Sequence, residues 1–194
     1  MERLYYETPS VSRKADALEY IAEFHRFGSD INGSGGLDRF TDDYEGWLLK
    51  LEEDRNLIPD EKKSPAETYF FVRSADKKIV GMVNIRYVLN ERLKKYGGNI
   101  GYSIRPTERR KGYNKINLYL ALKLCRLHGL KKVLLDADTD NPASWRTIEA
   151  LGGVMLREYF EDEFDHCMVR DYEIDVEASL ERFSHIYEPL LEKA

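Results

Sequence analysis

The sequence predicts a mixed α/β domain, in which short strands and amphipathic helices alternate along 194 residues. Several segments are rich in β-branched and aromatic residues, which is typical of strands. Other segments repeat apolar residues at helical spacing. In the middle of the chain, a strand, a basic glycine turn, a helix and a second strand follow one another. This order predicts a sheet that is flanked by helices.

The front part of the chain is predicted to contain one weak strand and two helices. Ala17, Ile21 and Phe24 recur at helical spacing in the first helix. Either Thr41 or Asp42 is expected to cap the second helix. A glycine-rich segment between the helices predicts a mobile surface loop, because no strand precedes it and no Gly-Lys-Ser/Thr follows it as in a phosphate loop. The predicted bounds are 3–7 for the strand, 12–27 for the first helix and 28–40 for the loop, and the second helix ends near residue 55.

The rest of the chain is predicted to contain strands and three further helices. Pro106 ends the strand before the basic turn, since proline has no N–H group to donate. Gly129 ends the central helix, and Asn141 caps the next one. Three apolar residues in succession, Val133 to Leu135, predict a strand that is buried on both faces. The predicted strands span 68–73, 79–89, 99–105, 132–137, 154–160 and 166–174, and the helices span 113–128, 142 to the glycine pair at 152–153, and 177–191.

Composition narrows the class of protein. The net charge of −5 argues against general nucleic-acid binding. The two cysteines, Cys125 and Cys167, do not form a CxxC pair, so a reduced, cytoplasmic setting is expected. The first residues lack the character of a signal peptide. No apolar run approaches about 18 residues, so no transmembrane span is predicted.

Three adjacent cations, Arg109, Arg110 and Lys111, precede Gly112 at the start of the central helix. A helix N-terminus leaves N–H groups unpaired and carries partial positive charge, so added cations destabilise it unless an anion binds. A glycine lets such an anion approach the backbone. The pattern is typical of a phosphate site, and three cations suit a diphosphate or a 3′-phosphate. A solvated basic turn paired with Glu108 accounts for the same residues equally well.

Two motifs in the central part of the chain resemble those of a known family. Residues 109–114, Arg-Arg-Lys-Gly-Tyr-Asn, resemble the Arg/Gln-x-x-Gly-x-Gly/Ala signature of the GNAT superfamily of acyl-CoA-dependent N-acetyltransferases. One strand later, Asn141 and Ser144, followed by Glu149 and Gly152, resemble the family's Asn-x-x-Ser/Ala…Glu-x-x-Gly helix. The match covers roughly residues 79–174. Within the family, the chain resembles a bacterial branch of mostly unassigned acetyltransferases.

The resemblance implies a single GNAT-like domain. Its fold would be a mixed, mostly antiparallel sheet flanked by helices, with a strand–pyrophosphate turn–helix core and a C-terminal amphipathic helix. Residues 1–75 would form the variable substrate-side part, 76–175 the cofactor-binding core and 176–194 the C-terminal helix.

The resemblance also implies acetyl transfer from acetyl-CoA to an amine by direct attack, without a metal and without a covalent enzyme intermediate. Backbone groups of residues 103–105 would bind the pantetheine arm and polarise the acetyl carbonyl. The basic turn would hold the pyrophosphate, and Asn141 and Ser144 would contact the cofactor from the other side. The implied cofactor-binding residues are Ser103, Ile104, Arg105, Arg109, Arg110, Lys111, Gly112, Tyr113, Asn114, Asn141 and Ser144.

Three departures from the family's pattern leave the general acid and base unassigned. Asn114 stands where the signature has Gly or Ala, so its side chain must turn away from the phosphates. Ile148 stands where many members carry the tyrosine that protonates the departing thiolate. Asn99 stands near the position where members often place a carboxylate base. The remaining catalytic candidates are Asn99 and Tyr102, which could order a water, and Tyr159, which could supply a proton.

The acceptor is not identified by these motifs. Asp136, Asp138 and Asp140 alternate along a strand end and could attract a cationic amine, but a solvated strand end is the preferred interpretation. The front part of the chain is expected to shape a pocket for a small-molecule amine or a peptide amine. A homodimer is a further expectation, whereas nucleic acid and membrane are not expected as partners. The alternatives are a non-catalytic acyl-CoA-binding or interaction protein and, third, a nucleotide-binding module that uses the same basic turn.

Overall fold

A computed structural model describes residues 2–61, 63–162 and 166–192. The strands are β1 (Leu4–Glu7), β2 (Glu67–Arg73), β3 (Ile79–Ile85), β4 (Ile100–Ile104), β5 (Lys132–Asp138), β6 (Val154–Glu161) and β7 (Cys167–Asp175). The α-helices are α1 (Lys14–Arg26), α2 (Tyr44–Arg55), α3 (Glu91–Lys95), α4 (Tyr113–Leu127), α5 (Pro142–Ala150) and α6 (Val176–Tyr187). Each predicted strand and helix is present, which confirms the α/β class. None of the helices in the described ranges is long and apolar enough to cross a membrane.

The strands form two antiparallel sheets that meet at one point. The first sheet has the order β1-β2-β3-β4, and the second has the order β5-β7-β6. β4 and β5 are joined at Asn99, whose N–H donates to Leu134 O at 2.7 Å and whose Oδ1 accepts from Leu134 N at 2.8 Å. Beyond this junction the two strands are not paired. We call the gap between residues 100–104 and 135–138 the wedge.

The helices cover the two faces of the sheets unequally. α4, α5 and α6 lie on one face and share a single buried core with both sheets, which includes Ile104, Leu122, Leu135, Tyr172 and Leu180. α1 and α2 lie on the opposite face of the first sheet, where a second core packs around β2 and β3. The position of α4 between both sheets sets its N-terminus beside the wedge.

The prediction that β5 is buried on both faces is wrong. Val133, Leu135 and Ala137 are buried, whereas Leu134 and Asp136 between them are only half-buried. The reason is that β5 is an edge strand of an antiparallel sheet, which has one face on the core and one face open. The half-buried face lies on the side away from α5.

The glycine-rich loop before α2 packs on β4, which is not the arrangement expected of a mobile surface loop. Ser103 Oγ donates to Asn32 O, and Trp47 Nε1 donates to Gly35 O at 3.3 Å. Gly33 lies so close to β4 that a Cβ there would be 2.4 Å from Gly101 O. Only a glycine at this position allows the loop to lie against the strand.

Several element boundaries differ from those predicted, mostly by one or two residues. β3 ends at Ile85 rather than at residue 89, and the unpredicted helix α3 follows, capped by the side chain of Asn90. The cap of α2 is Asp43 rather than Thr41 or Asp42, because its Oδ1 accepts from Gly46 N at 3.0 Å. The last helix ends at Tyr187 and continues as a short 3₁₀ turn, which contains a proline.

Candidate functional site

Alternate backbone N–H groups of β4 point into the wedge. Arg105 N donates to Val80 O of β3 at 2.9 Å, so residue 105 has its N–H on the paired edge. Alternation along an antiparallel strand then turns the N–H groups of Tyr102 and Ile104 toward the wedge. Since β5 does not pair with them there, these groups are placed to donate to a ligand.

The N-terminus of α4 is open beside the wedge. Its N-cap is Gly112, with φ of 80°, and no side chain caps the helix. The N–H groups of Gly112, Tyr113 and Asn114 have no acceptor in the described part of the chain. A Cβ built on Gly112 would meet no atom within 4 Å. The arrangement leaves several N–H groups and open space at the positive end of a 15-residue helix.

The three adjacent cations do not share one role, although the sequence predicts that all three bind the cofactor. Arg109 folds back, donates to Ser29 Oγ at 2.7 Å and Ile104 O at 3.2 Å, and lies over the Phe24 ring. Lys111 pairs with a buried carboxylate. Arg110 is exposed and has no partner among the described residues. Arg110 is therefore the cation that is free to meet an anion.

Glu108 is the carboxylate that holds the turn in place. Its side chain is 4% exposed and pairs with Arg73 at 2.9 Å, Lys78 at 2.8 Å and Lys111 at 2.7 Å. Burial raises the pKa of Glu108, but the three cations outweigh this effect and lower it to about 2. Lys111 therefore has the arrangement that the sequence analysis gave as the alternative to a phosphate site, a basic turn paired with Glu108.

Residues of α4 and α5 form the other side of the site. Asn141 Oδ1 caps α5 by accepting from Ser144 N at 3.2 Å, and Ser144 Oγ lies 3.0 Å from Tyr102 Oη across the wedge. The side chain of Asn114 turns toward α5, where its Nδ2 donates to Thr147 Oγ1 at 3.3 Å. The Oδ1 of Asn114 is buried and accepts no hydrogen bond from the residues that the structure describes. The asparagine therefore leaves its own N–H accessible, as the sequence required.

Two of the predicted cofactor-binding residues make hydrogen bonds or ion pairs with other parts of the chain. Arg105 uses both backbone groups, and its guanidinium pairs with Glu19 and Glu23. Ser103 faces α1, where its Oγ lies 3.0 Å from Tyr20 Oη. The prediction that backbone groups of residues 103–105 bind the pantetheine arm therefore depends mainly on Ile104. Of the three, only Ile104 has its N–H on the wedge side.

Two of the three catalytic candidates have structural contacts. Asn99 is 4% exposed, and besides accepting from Leu134 N it donates from Nδ2 to Arg86 O at 2.8 Å. Both ends of its amide are therefore engaged, and the Oδ1 helps to join the two sheets. Tyr159 donates to Lys95 O at 3.2 Å on the outer part of β6, and burial raises its pKa. Neither side chain lies on the wedge.

Tyr102 is the catalytic candidate that lies in the wedge. Its hydroxyl reaches from β4 to Ser144 at the start of α5. Burial raises the pKa of Tyr102, with a smaller opposing effect from Ser144, so the phenol is a proton donor rather than a base at neutral pH. Ile148, by contrast, is fully buried in the core, in contact distance of the Gly153 backbone.

A cavity of about 600 Å³ lies at the closed end of the wedge. It was not predicted, because its walls come from distant parts of the chain. Asp136 is one of its lining residues and accepts from Gly97 N at 2.6 Å. Burial raises the pKa of Asp136, which corrects the interpretation of this residue as part of a solvated strand end. The lining residues are Glu91, Lys94, Lys95, Tyr96, Gly97, Gly98, Leu134, Leu135, Asp136, Leu156, Arg157 and Asp171.

Comparison with known proteins adds a family and a set of folds. The acetyltransferase (GNAT) family model matches residues 37–153. No curated protein matches the chain.

Three solved structures illustrate the similarity of fold. The microcin C7 self-immunity acetyltransferase MccE, in complex with acetyl-CoA and AMP, has 14% identity and a TM-score of 0.65, with 89% of this chain and 92% of that chain covered. An acetyltransferase (GNAT family) from Bacillus anthracis has 14% identity, a TM-score of 0.62 and coverage of 90% and 96%. Mutant forms of the spermidine/spermine N-acetyltransferase SpeG from Vibrio cholerae have 14% identity, a TM-score of 0.62 and coverage of 93% and 99%.

Proposed function

The chain belongs to the GNAT family of acetyltransferases, and we propose that it transfers the acetyl group of acetyl-CoA to an amine by direct attack. The observation that carries this proposal is the open N-terminus of α4 beside the unpaired edge of β4. One feature suits a diphosphate and the other suits an extended amide chain, and CoA contains both. MccE, a protein of similar fold, is described in complex with acetyl-CoA, which supports the same cosubstrate here.

The residues present fit this cosubstrate. The N–H groups of residues 112–114 and the cation of Arg110 would bind the pyrophosphate. The N–H groups of Tyr102 and Ile104 would donate to the pantetheine arm or to the acetyl oxygen. The unpartnered Oδ1 of Asn114 is an acceptor suited to an N–H group of the ligand.

The reaction requires a neutral amine nitrogen near the wedge. Bound acetyl-CoA supplies a thioester carbonyl carbon. The C–N bond forms as the C–S bond breaks, the electron pair of the C–S bond leaves on sulfur, and the products are an amide and the CoA thiol. An amine that arrives as ammonium loses two protons, of which the thiolate takes one. Tyr102 is the hydroxyl in the wedge that could donate to the thiolate.

The direct test is CoA thiol release from acetyl-CoA across a panel of small primary amines, amino acids and peptides, with the acetylated product identified by mass spectrometry. Turnover with at least one amine is expected. Tight CoA binding without turnover on any amine would favour a non-catalytic acyl-CoA-binding protein. Binding of ATP but not of CoA would favour the nucleotide-binding module.

The division of roles between the adjacent cations gives a matched pair of variants. Arg110→Ala is expected to lower CoA affinity by about tenfold, or roughly 1.4 kcal/mol, because it removes a charge that faces the phosphates. The salt dependence of binding should weaken with it, since exposed phosphate contacts are screened. Lys111→Ala is the control and should change the affinity by less than about threefold, because Lys111 pairs with Glu108. Titration calorimetry at two salt concentrations measures both, and equal losses would contradict the assignment.

A tyrosine at position 148 is not expected to create a general acid. Ile148 is fully buried, so Ile148→Tyr should overfill the core and lower the free energy of unfolding by about 1 to 3 kcal/mol. In the folded fraction, turnover should change by less than about tenfold, because the new hydroxyl is placed in the core. Urea unfolding and thiol release measure the two effects. A gain of several hundredfold in turnover would show instead that the site lacks an acid at this position.

A further inference from the structure

The cavity at the closed end of the wedge lies on the side of the sheets where no cofactor contact is proposed. Val133, Leu135 and Ala137 of β5 are buried on the side of α5, so Leu134 and Asp136 face the other way. The second wall is formed by α3 and by residues 96–98, which precede β4. The cavity therefore lies on the same side of the sheets as α1, opposite α4.

The junction of the sheets fixes the position of Asp136 relative to the wedge. Asn99 is bonded to Leu134. Because the chain passes from β4 to β5 through the crossover helix α4, we infer that the two strands run in the same direction from there. Two residues further along each strand, Asp136 is level with Gly101 and is one residue short of Tyr102. A strand rises about 3.3 Å per residue, so Asp136 lies about that distance along the strand from the level of Tyr102, whose N–H faces the wedge.

Asp136 is the carboxylate in the cavity that forms no close ion pair within the described ranges, and Arg86 acts on it only at longer range. Asp171 pairs with Arg157 at 2.5 Å, and Glu91 pairs with Lys94 at 2.6 Å. Asp136 accepts only from Gly97 N among the described donors. A half-buried carboxylate with one neutral donor is poorly compensated, so a cation bound there would stabilise it.

We propose that this cavity binds the acceptor amine, and that Asp136 holds the ammonium group and takes the proton that nitrogen must lose before it attacks. The proposal rests on the proposed acetyl transfer and assigns it an acceptor class. Leu134, Leu156 and Tyr96 give the cavity an apolar lining, and about 600 Å³ is the size of a small-molecule site. The acceptor class is therefore a small primary amine with an apolar body.

The charges around Asp136 suit a base. Burial raises its pKa, Asp171 and Asp138 add to this effect, and the N–H of Gly97 and the cation of Arg86 oppose it. A carboxylate with a raised pKa accepts a proton more readily than an ordinary one. The titratable and charged side chains that face it are Arg86, Glu91, Lys94, Lys95, Tyr96, Asp138, Arg157, Tyr159 and Asp171.

Amine binding can be measured without turnover. Phenethylamine is titrated by calorimetry into protein saturated with CoA, which carries no acetyl group, and 2-phenylethanol serves as the neutral analogue. Wild type should bind the amine more tightly than the alcohol. Asp136→Asn should lose at least tenfold in amine affinity. Asp138→Asn is the matched control, from the same face of β5 but outside the cavity lining, and should lose less than threefold. Equal amine affinity in wild type and Asp136→Asn, or no saturable binding to wild type, would overturn the proposal.

Turnover measurements then show whether Asp136 acts as a base or only binds the amine. With saturating amine, Asp136→Asn should lower kcat by about 10²-fold or more and abolish the fall in rate at acidic pH, while acetyl-CoA affinity stays unchanged. A variant that changes only KM and keeps the acidic limb would overturn the role of Asp136 as a base. If acetyl-CoA binds but wild type acetylates no amine, the proposed function is wrong. The binding titration still tests the amine site in that case, because it does not depend on turnover.

Discussion

Replacing Asn99 with alanine is expected to lower the free energy of unfolding by about 2 to 4 kcal/mol. The side chain is 4% exposed and makes two hydrogen bonds, to Arg86 O and from Leu134 N, both at 2.8 Å. Alanine leaves both backbone groups without these partners at the point where the two sheets join. Each such loss costs about 1 to 3 kcal/mol, and water that enters the gap would recover part of it.

Urea unfolding followed by tryptophan fluorescence measures the effect of Asn99→Ala. Asn56→Ala is the control, because Asn56 is exposed at the end of α2 and bonds only within its own helix. The control should change stability by less than about 0.5 kcal/mol. Equal stability of Asn99→Ala and wild type would mean that the junction does not depend on this amide. Asn99 would then be available for a role in catalysis.

Replacing Glu108 with glutamine is expected to cost about 2 kcal/mol at neutral pH. The carboxylate is buried among Arg73, Lys78 and Lys111, and glutamine keeps its size while removing the charge that these cations share. The estimate is kept low because Lys111 and Lys78 are partly exposed and solvent screens them. Lys111→Ala is the control, since it removes one of three cations and should cost less than half as much.

The loss of stability in Glu108→Gln is also expected to depend on pH. The pKa of Glu108 is about 2 in the folded protein and lies near 4.5 for an ordinary glutamate, so the stability that it contributes is complete above pH 4.5. This contribution is lost as the pH falls from 4.5 toward 2. The difference in stability between wild type and Glu108→Gln should therefore narrow as the pH is lowered through this window. A difference that stays constant between pH 3 and 7 would contradict the ion-pair account.

Local patterns in the sequence predicted the elements and one part of the site. The glycine at the start of α4 and the asparagine cap of α5 act through neighbours within three residues, so Gly112 and Asn141 could be identified from spacing. Asn99 and Asp136 make hydrogen bonds to Leu134 and Gly97, which lie about 35 to 40 residues away in the sequence. Local spacing cannot predict such pairs, because they depend on how the strands are brought together. Two features of the sequence could have indicated the cavity. One is the glycine at position 98, which the structure explains because a Cβ there would be 2.2 Å from Leu134 O. The other is the alternation of Asp136 with the apolar residues Leu135 and Ala137, which are buried.

The basic turn shows that charge alone does not predict which contacts each cation makes within the chain. Three adjacent cations suggested three contacts to phosphate, but the fold directs Arg109 to Ser29 and Phe24 on the α1 side and Lys111 to Glu108. The pairing of Lys111 with a glutamate three residues earlier is the one that spacing could have predicted. The homodimer expected from the sequence stays a prediction, as does the division of the chain at residues 75 and 175. The acceptor cavity proposed above is lined by residues after position 75, and not by the part of the chain that was expected to shape the amine pocket.

An NMR titration of CoA into the protein, followed through the backbone amide signals, tests whether the wedge is the cosubstrate site. We predict that the signals of Gly112, Tyr113 and Asn114 shift most strongly, together with those of Tyr102 and Ile104, because their N–H groups would meet the pyrophosphate and the pantetheine arm. Dephospho-CoA should shift the same five signals. Saturable CoA binding that leaves these five signals in place, and shifts those of another surface, would contradict the assignment of the wedge as the cosubstrate site.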